Sequence, residues 1–379
     1  MIRLLHTGPR GGSDVPRRRL EDGWTLIELL LASTLFLIVV AVALQLVAVG
    51  QSVFRFQPAA ADVQQRLRVA IEGMSHDLQQ AGAGLVVGAE AGPLFQVLPP
   101  VRLGRRGLRE PDGEFEARSD RVTVLWAPSG AHQTTLVADM ASPGDALVID
   151  PASAGCPADG ACGFSPGTRA LVLDPRAAGL GYDVFTVTGV GAGVLIHGPP
   201  NRTLSRAYDR DVSWVTEVVQ HSYYYDASSS RLMRYDGWMS DLPLVDDVIG
   251  FEMTVRAAPD PWSVQPPRPG ESTCLFRAGP PVEPLLADLG GSALRDLSAA
   301  QLADGPVCGL APNRFDGDLL RVRSVRVRIG LRAASEGTDV ADVGQSTMRP
   351  YRAPTWVTFE VSLRNAPTGR PVGSTASGL

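Results

Sequence analysis

A single acidic residue at the start of a long apolar run constrains this chain more than any other feature. Residues 29–50 are almost entirely apolar, with Ser33, Thr34 and Gln45 as the polar exceptions. A helix of about 20 apolar residues crosses the hydrocarbon core of a bilayer, so we predict a membrane-spanning helix here. Glu28 lies at its beginning, where a carboxylate in lipid costs about 2.5–3.5 kcal/mol unless a partner offsets that cost. The pattern therefore predicts a membrane anchor whose one acid has a specific role.

The residues before the apolar run predict its orientation. Arg17, Arg18 and Arg19 precede it, and basic flanks favour the cytoplasmic side of a membrane. A cleaved secretory signal has a shorter apolar core followed by a small-residue cleavage site, and this run is too long for that description. We expect a single-pass anchor with most of the chain on the far side.

The residues at the start of the run match a known processing motif. Gly23, Trp24 and Glu28, with Thr-Leu-Ile at positions 25–27, resemble the motif of type IV prepilins and of type II secretion pseudopilins. Trp24 stands where that family usually has Phe, and two acids precede Gly23 where a basic residue is usual. The resemblance implies that a prepilin peptidase removes residues 1–23 and methylates Trp24. It also implies that Glu28 docks the subunit by pairing with the N-terminal amine of a neighbour, which would offset the cost of its charge.

The periodicity beyond the membrane run predicts a second helical half and then a β-rich head. Apolar residues recur at three- and four-residue intervals, which favours a helix with one apolar face; they are Val63, Leu67, Ile71, Met74 and Leu78. Pro58 predicts a kink or local break, and Gly82 with Gly84 predicts the helix end. We divide the chain into a leader (1–23), a membrane-spanning helix half (24–50), an amphipathic helix half (51–83), a periplasmic head (84–365) and a flexible tail (366–379).

The head shows the two-residue alternation of half-buried strands. Apolar residues at 122, 124 and 126, and again at 357, 359, 361 and 363, are interleaved mainly with polar ones. Further strands are predicted at 146–150, 169–174, 183–188, 194–197, 213–225, 231–235, 248–255 and 320–331. Ten prolines within residues 258–312 predict an irregular insertion, with one short helix at 292–303. The expected fold class is α+β, with a long N-terminal helix packed on a mostly antiparallel β head.

All four cysteines lie beyond the membrane run, at Cys156, Cys162, Cys274 and Cys308. The spacing of the first two does not fit a common zinc site, and no histidine lies nearby to complete one. Disulfides in an oxidising compartment are the better interpretation. Four cysteines allow three pairings, of which proximity favours Cys156 with Cys162 and Cys274 with Cys308.

The sequence offers no catalytic constellation. The five histidines are scattered without metal-ligand spacing, and neither a nucleophile elbow nor a phosphate-binding loop is present. Oxygen-bearing residues Asn313, Asp316 and Asp318 around Gly317 could ligate calcium, but Asp-Gly is also a turn signal, and we favour the turn. We therefore expect no enzyme activity, no metal and no cofactor.

A basic stripe at Arg321, Arg323, Arg326 and Arg328 has two interpretations. It could form a groove for DNA phosphates, or it could be a solvated strand face paired with nearby acids, with a bulge near Ser324. The net charge of −5 and the lack of interleaved aromatic residues favour the second interpretation, so we expect no nucleic-acid partner.

Short patches in the head are similar to those of PilW-like minor pilins; they are 120–124, 232–235, 325–328 and 361–365. The resemblance implies a minor pilin in the inner membrane, with its head in the periplasm, that primes or caps a type IV pilus. Its implied partners are other minor and major pilins, the prepilin peptidase, the inner-membrane assembly platform and membrane lipid. A J-type pseudopilin of type II secretion and a DNA-binding tip pilin for uptake are the alternatives.

Overall fold

The computed structural model describes residues 25–84, 94, 98–174, 181–198, 203–264, 266–267, 270–332 and 354–365, and over 48–60 and 62–63 it describes the backbone alone. Gly23, Trp24 and the tail over 366–379 therefore lie outside the described residues. The chain divides into two compact units, Met1–Pro58 and Ala59–Leu379.

One long helix, α1, extends from Leu26 to Gln80. It continues through Pro58. Of the predicted kink or local break, the break is therefore wrong and the kink stays a prediction; a proline removes only one backbone hydrogen bond of a helix. The predicted end is confirmed. Gly82 has a φ of 75°, the left-handed conformation that commonly closes a helix, and its N–H donates to the carbonyl of Leu125 at 3.0 Å.

The described part of the head contains nineteen strands in three larger antiparallel sheets and two short hairpins. In chain order they are β1 (Val101–Arg102), β2 (Arg121–Trp126), β3 (Gln133–Thr135), β4 (Leu147–Val148), β5 (Arg169–Asp174), β6 (Gly181–Gly191), β7 (Val194–His197), β8 (Trp214–Glu217), β9 (Val219–Asp226), β10 (Arg231–Tyr235), β11 (Asp241–Val245), β12 (Val248–Ala257), β13 (Phe276–Arg277), β14 (Glu283–Pro284), β15 (Arg295–Asp296), β16 (Val307–Cys308), β17 (Phe315–Asp316), β18 (Val322–Leu331) and β19 (Thr355–Ser362). The sheets have the orders β1-β2-β9-β10-β11, β15-β12-β18-β19 and β3-β8-β5-β6-β7-β4. The α+β fold class is confirmed.

Two hydrophobic cores account for the apolar pattern of the head. The larger core joins the second half of α1, through Leu67, Met74 and Leu78, to the five- and four-stranded sheets. The smaller core lies against the six-stranded sheet. Strand β5 contributes to both, because Leu171 and Leu173 pack into the larger core while Ala170 and Val172 pack into the smaller one. This explains its continuous apolar run, which a strand with one wet face would not show.

Three local predictions for the head are wrong. The strand expected over 213–225 is two strands in different sheets, β8 and β9, separated at Val218. The strand expected from Leu320 begins at Val322, because Gly317–Arg321 forms a 3-10 turn capped by Asp316. The helix expected at 292–303 is absent, and that stretch contains only the two-residue strand β15 and turns.

Candidate functional site

The N-terminal part of α1 is an apolar helix without a protein partner inside its own unit. Leu26–Val47 spans 22 residues with a mean hydropathy of 2.6, and none of it is buried. Its two hydroxyls are satisfied within the helix, since Ser33 donates to the carbonyl of Leu30 at 3.0 Å and Thr34 to that of Leu31 at 2.9 Å. A helix whose polar groups are bonded internally suits an environment without water.

Glu28 lies at the start of this helix in a capping box. Its Oε2 accepts the backbone N–H of Thr25 and the hydroxyl of Thr25, both at 3.0 Å, and its own N–H donates to the Thr25 hydroxyl at 3.3 Å. Reciprocal bonds between an N-cap threonine and a glutamate three residues later satisfy backbone donors that a helix start otherwise leaves free. The Thr-x-x-Glu signature at 25–28 is visible in the sequence, and our sequence analysis missed it.

The capping box also determines how the carboxylate is presented. Both accepted bonds fall on Oε2, and no described residue bonds to Oε1. Glu28 is exposed and sits at the positive end of the helix dipole, which favours the charged form. The site is thus an oriented carboxylate with one oxygen available to a cationic group.

In the second unit, Asp77 ties the amphipathic half of α1 to the five-stranded sheet. This buried carboxylate accepts the hydroxyl of Tyr223 at 2.5 Å and lies 2.5 Å from Nδ1 of His221. Burial and the neighbouring Asp77 charge raise the pKa of Tyr223, so the phenol keeps its proton and donates. No local sequence pattern predicts this network, since the partners of Asp77 lie more than 140 positions away.

A second tie closes the C-terminal end of α1. The side-chain amide of Asn365 lies 3.2–3.3 Å from the carbonyl oxygens of Gln79, Gln80 and Ala81. The last carbonyls of a helix have no partner inside it, so this amide supplies a donor where one is needed. Asn365, three residues after the end of β19, is thereby bonded to the helix end.

The predicted basic stripe does not exist as one surface. Arg321 is fully buried in the 3-10 turn, where it pairs with Asp318 at 2.7 Å. Arg323 is half-buried and donates to backbone carbonyls, and burial lowers its pKa to about 10. Only Arg326 and Arg328 reach the solvent face of β18. Arg321 lies in the turn before the strand and Arg323 lies at a bulge, which separates these two arginines from Arg326 and Arg328. The bulge predicted near Ser324 is confirmed.

The two exposed arginines have acidic neighbours, as the solvated-face interpretation expects. Arg326 lies 3.2 Å from Asp296 and 3.5 Å from Glu360, and Arg328 lies 3.6 Å from Glu252. These pairs neutralise the positive charge of this face.

The oxygen-rich segment around Gly317 forms a turn. Asp316 accepts the N–H groups of Asp318 and Gly305 at 2.9 and 2.7 Å. Its carboxylate lies with those of Asp304 and Asp318 in one cluster, within 4.8 Å of one another, and burial raises the pKa of Asp318 to about 6. Arg321 already supplies a positive charge here. Asn313 does not join the cluster, because its amide donates to Asp183 at 2.6 Å.

Two disulfides link the cysteines in the pairs that sequence proximity favours. Cys156 and Cys162 have Cα atoms 4.4 Å apart, and Cys274 and Cys308 have Cα atoms 5.3 Å apart. The second bond joins β16 to the segment just before β13 and so closes a large part of the proline-rich insertion.

Comparisons with known proteins give one structural similarity. No protein-family profile matches this chain, and no curated protein matches it. A solved type IV-like pilin from Thermus thermophilus is similar at 12% identity and a TM-score of 0.17, over 52% of this chain and 86% of that one. Because the TM-score is so low, this similarity carries no weight for function. The function proposed below rests on the residues of this chain.

Proposed function

We propose that this chain is a minor pilin that primes the assembly of a type IV pilus or caps it. The observation that carries the proposal is the oriented carboxylate of Glu28 at the start of the apolar helix Leu26–Val47, none of which is buried. The Gly23-Trp24 pair directly before it supplies the processing motif. A charge at this position is costly in lipid and is explained by a partner in an assembly.

Processing and docking follow from these residues. A prepilin peptidase would cut after Gly23 and methylate Trp24, and the apolar helix would hold the mature chain in the inner membrane. In the filament, the free oxygen of Glu28 would accept a bond from the N-terminal amine of the adjacent pilin. The Thr25 cap holds the carboxylate at the helix start, where such an amine would approach. We expect no catalytic activity and no cofactor in this role.

The partners in this role are other pilin-type subunits, the inner-membrane assembly platform and the membrane. A subunit that repeats densely along a filament needs a small head. The head of this chain, expected in the periplasm, is large, which supports a low-copy position at the start or tip. A J-type pseudopilin would use the same N-terminal residues. Neighbouring genes for a retraction ATPase favour the pilus, and a secretin with secretion-only partners favours the pseudopilin.

A DNA-binding tip pilin is less well supported. Arg321 is buried and Arg323 is bonded to backbone carbonyls, so neither offers its charge to phosphates. The two remaining arginines of the stripe have acidic neighbours. A protein that binds nucleic acid relies on basic side chains that are free to pair with phosphates.

Variants of Glu28 separate its charge from its capping bonds. Glu28→Gln removes the charge and can keep the capping box, since glutamine also serves at this position; Glu28→Ala removes both, and Thr25→Ala removes the cap and keeps the charge. We expect both Glu28 variants to abolish pilus assembly and Thr25→Ala to reduce it only partly. Immunoblots of membranes control for protein level. Normal assembly with Glu28→Gln would show that the charge has no docking role.

A further inference from the structure

Among the described residues, the outer edge of β19 has no pairing partner. This eight-residue strand pairs with β18 on one side, and no described residue bonds to its backbone on the other side. The N–H of Leu363 donates to the carbonyl of Arg323 at 2.9 Å, so the odd-numbered residues are the ones bonded to β18 in this antiparallel ladder. The N–H and C=O groups of the even-numbered residues, 356 to 362, therefore point to the free edge.

The side chains of β19 do not block that edge. Natural edge strands are commonly protected by proline, lysine or an inward-pointing charge, and none of these occurs within TWVTFEVS at 355–362. The one charged residue is Glu360, which already lies 2.7 Å from Arg256 and accepts the hydroxyl of Ser324 at 2.6 Å. Val357 and Phe359 face the larger core but remain half-exposed.

On the face of β19 away from the core, the side chain of Trp356 lies flat against the sheet. The indole lies across the neighbouring strands at Gly250 and Gly330, where a side chain on either glycine would meet the ring. Arg328 lies 4.4 Å from the ring centroid. The tryptophan is therefore held along the sheet and does not project past the edge.

We propose that β19 pairs with β19 of a second copy of this chain, antiparallel about a two-fold axis at Thr358. This register joins the outward-pointing backbone groups of both strands, because it pairs even-numbered residues with even-numbered ones. Thr358 meets the partner's Thr358, and Trp356 meets the partner's Glu360. On the core side, Val357 covers the partner's Phe359 and Phe359 covers the partner's Val357.

Charge favours this register over the one with its axis at Phe359. With the axis at Thr358, the two Glu360 carboxylates are four residues apart, about 14 Å along the strands. An axis at Phe359 would bring them into diagonal contact, and close like charges across strands destabilise pairing. The pairing uses the head alone, so it does not depend on the proposed pilin role.

Cysteine cross-linking of the full-length chain in membranes tests the register. All four native cysteines are in disulfides, so one added cysteine supplies a single free thiol. In Thr358→Cys the two Cα atoms would be about 5.5 Å apart, within disulfide range. In the control Thr355→Cys, on the same exposed strand, they would be about 20 Å apart.

We expect mild oxidation to give a disulfide-linked dimer with Thr358→Cys and none with Thr355→Cys. Equal cross-linking of both variants, no dimer with either, or an adduct of Thr358→Cys with a different protein would overturn the proposal. As a second measurement, Thr358→Pro removes an outward-pointing N–H and leaves the bonds to β18 intact. Sedimentation in detergent should show a concentration-dependent dimer for the native chain and monomer for Thr358→Pro. A native chain that stays monomeric would contradict self-pairing.

Discussion

Removing the Asp77 carboxylate should destabilise the head by leaving two donors without their acceptor. Tyr223 is 1% exposed, so without Asp77 its hydroxyl is a buried donor that has lost its acceptor. Such a group costs about 1–3 kcal/mol of folding free energy. The side chain of His221 is 20% exposed, and water can replace part of its bond. For Asp77→Ala we therefore expect a loss of about 2–4 kcal/mol in the free energy of unfolding.

Two further variants make this prediction specific. Tyr223→Phe removes one donor and leaves the carboxylate bonded to His221, so its loss should be smaller, about 1–2 kcal/mol. Because Asp77 and Tyr223 share a bond, the double variant should lose less than the sum of the two single losses. Arg68→Ala on the exposed face of the same helix should change stability by less than about 0.5 kcal/mol.

Urea unfolding of the full-length chain in detergent, followed by near-ultraviolet circular dichroism, measures these differences. A loss below about 0.5 kcal/mol for Asp77→Ala would refute the claim that this network holds α1 against the sheet. Strict additivity in the double variant would refute the shared bond.

Two other outcomes follow from packing and from charge. Met74→Ala should lower the free energy of unfolding by about 2–5 kcal/mol, because Met74 is fully buried in the larger core. The control Val69→Ala, at a 59% exposed site on the same helix, should change it by no more than about 0.5 kcal/mol. Similar losses for both variants in urea unfolding would contradict the assigned core face. Burial raises the pKa of Asp318 from 3.8 to about 6, so the folded state binds the proton more tightly and the head should gain stability as pH falls from about 7 to 5. Asp318→Asn should flatten that dependence in urea melts at both pH values, and an unchanged slope would show that Asp318 does not contribute to it.

Several elements of the fold follow from the sequence because their signals are local. The strands 169–174, 194–197 and 231–235 appear with the predicted bounds, since alternation or a continuous apolar run is set by neighbouring residues. The helix end at Gly82 is likewise local. The change of sheet at Val218 is not, because the apolar pattern continues across it while the pairing partners change.

The candidate site also has some features that local sequence predicts and others that depend on distant residues. The apolar helix and Glu28 are visible in the sequence, and the Thr25 cap could have been predicted from its four-residue signature. The burial of Arg321 could not, because it depends on a turn that ends before the strand and on carbonyl groups such as that of Ala287. The partners of Asp77 also come from a distant strand, so no local pattern predicts them.

The N-terminus of the mature chain tests the central claim most directly. Mass spectrometry of the protein extracted from membranes that contain a prepilin peptidase should find a chain that begins with N-methylated Trp24. The same chain from cells without the peptidase should keep residues 1–23. A mature chain that begins beyond Val47, or an uncut chain in the presence of the peptidase, would contradict the assignment as a pilin.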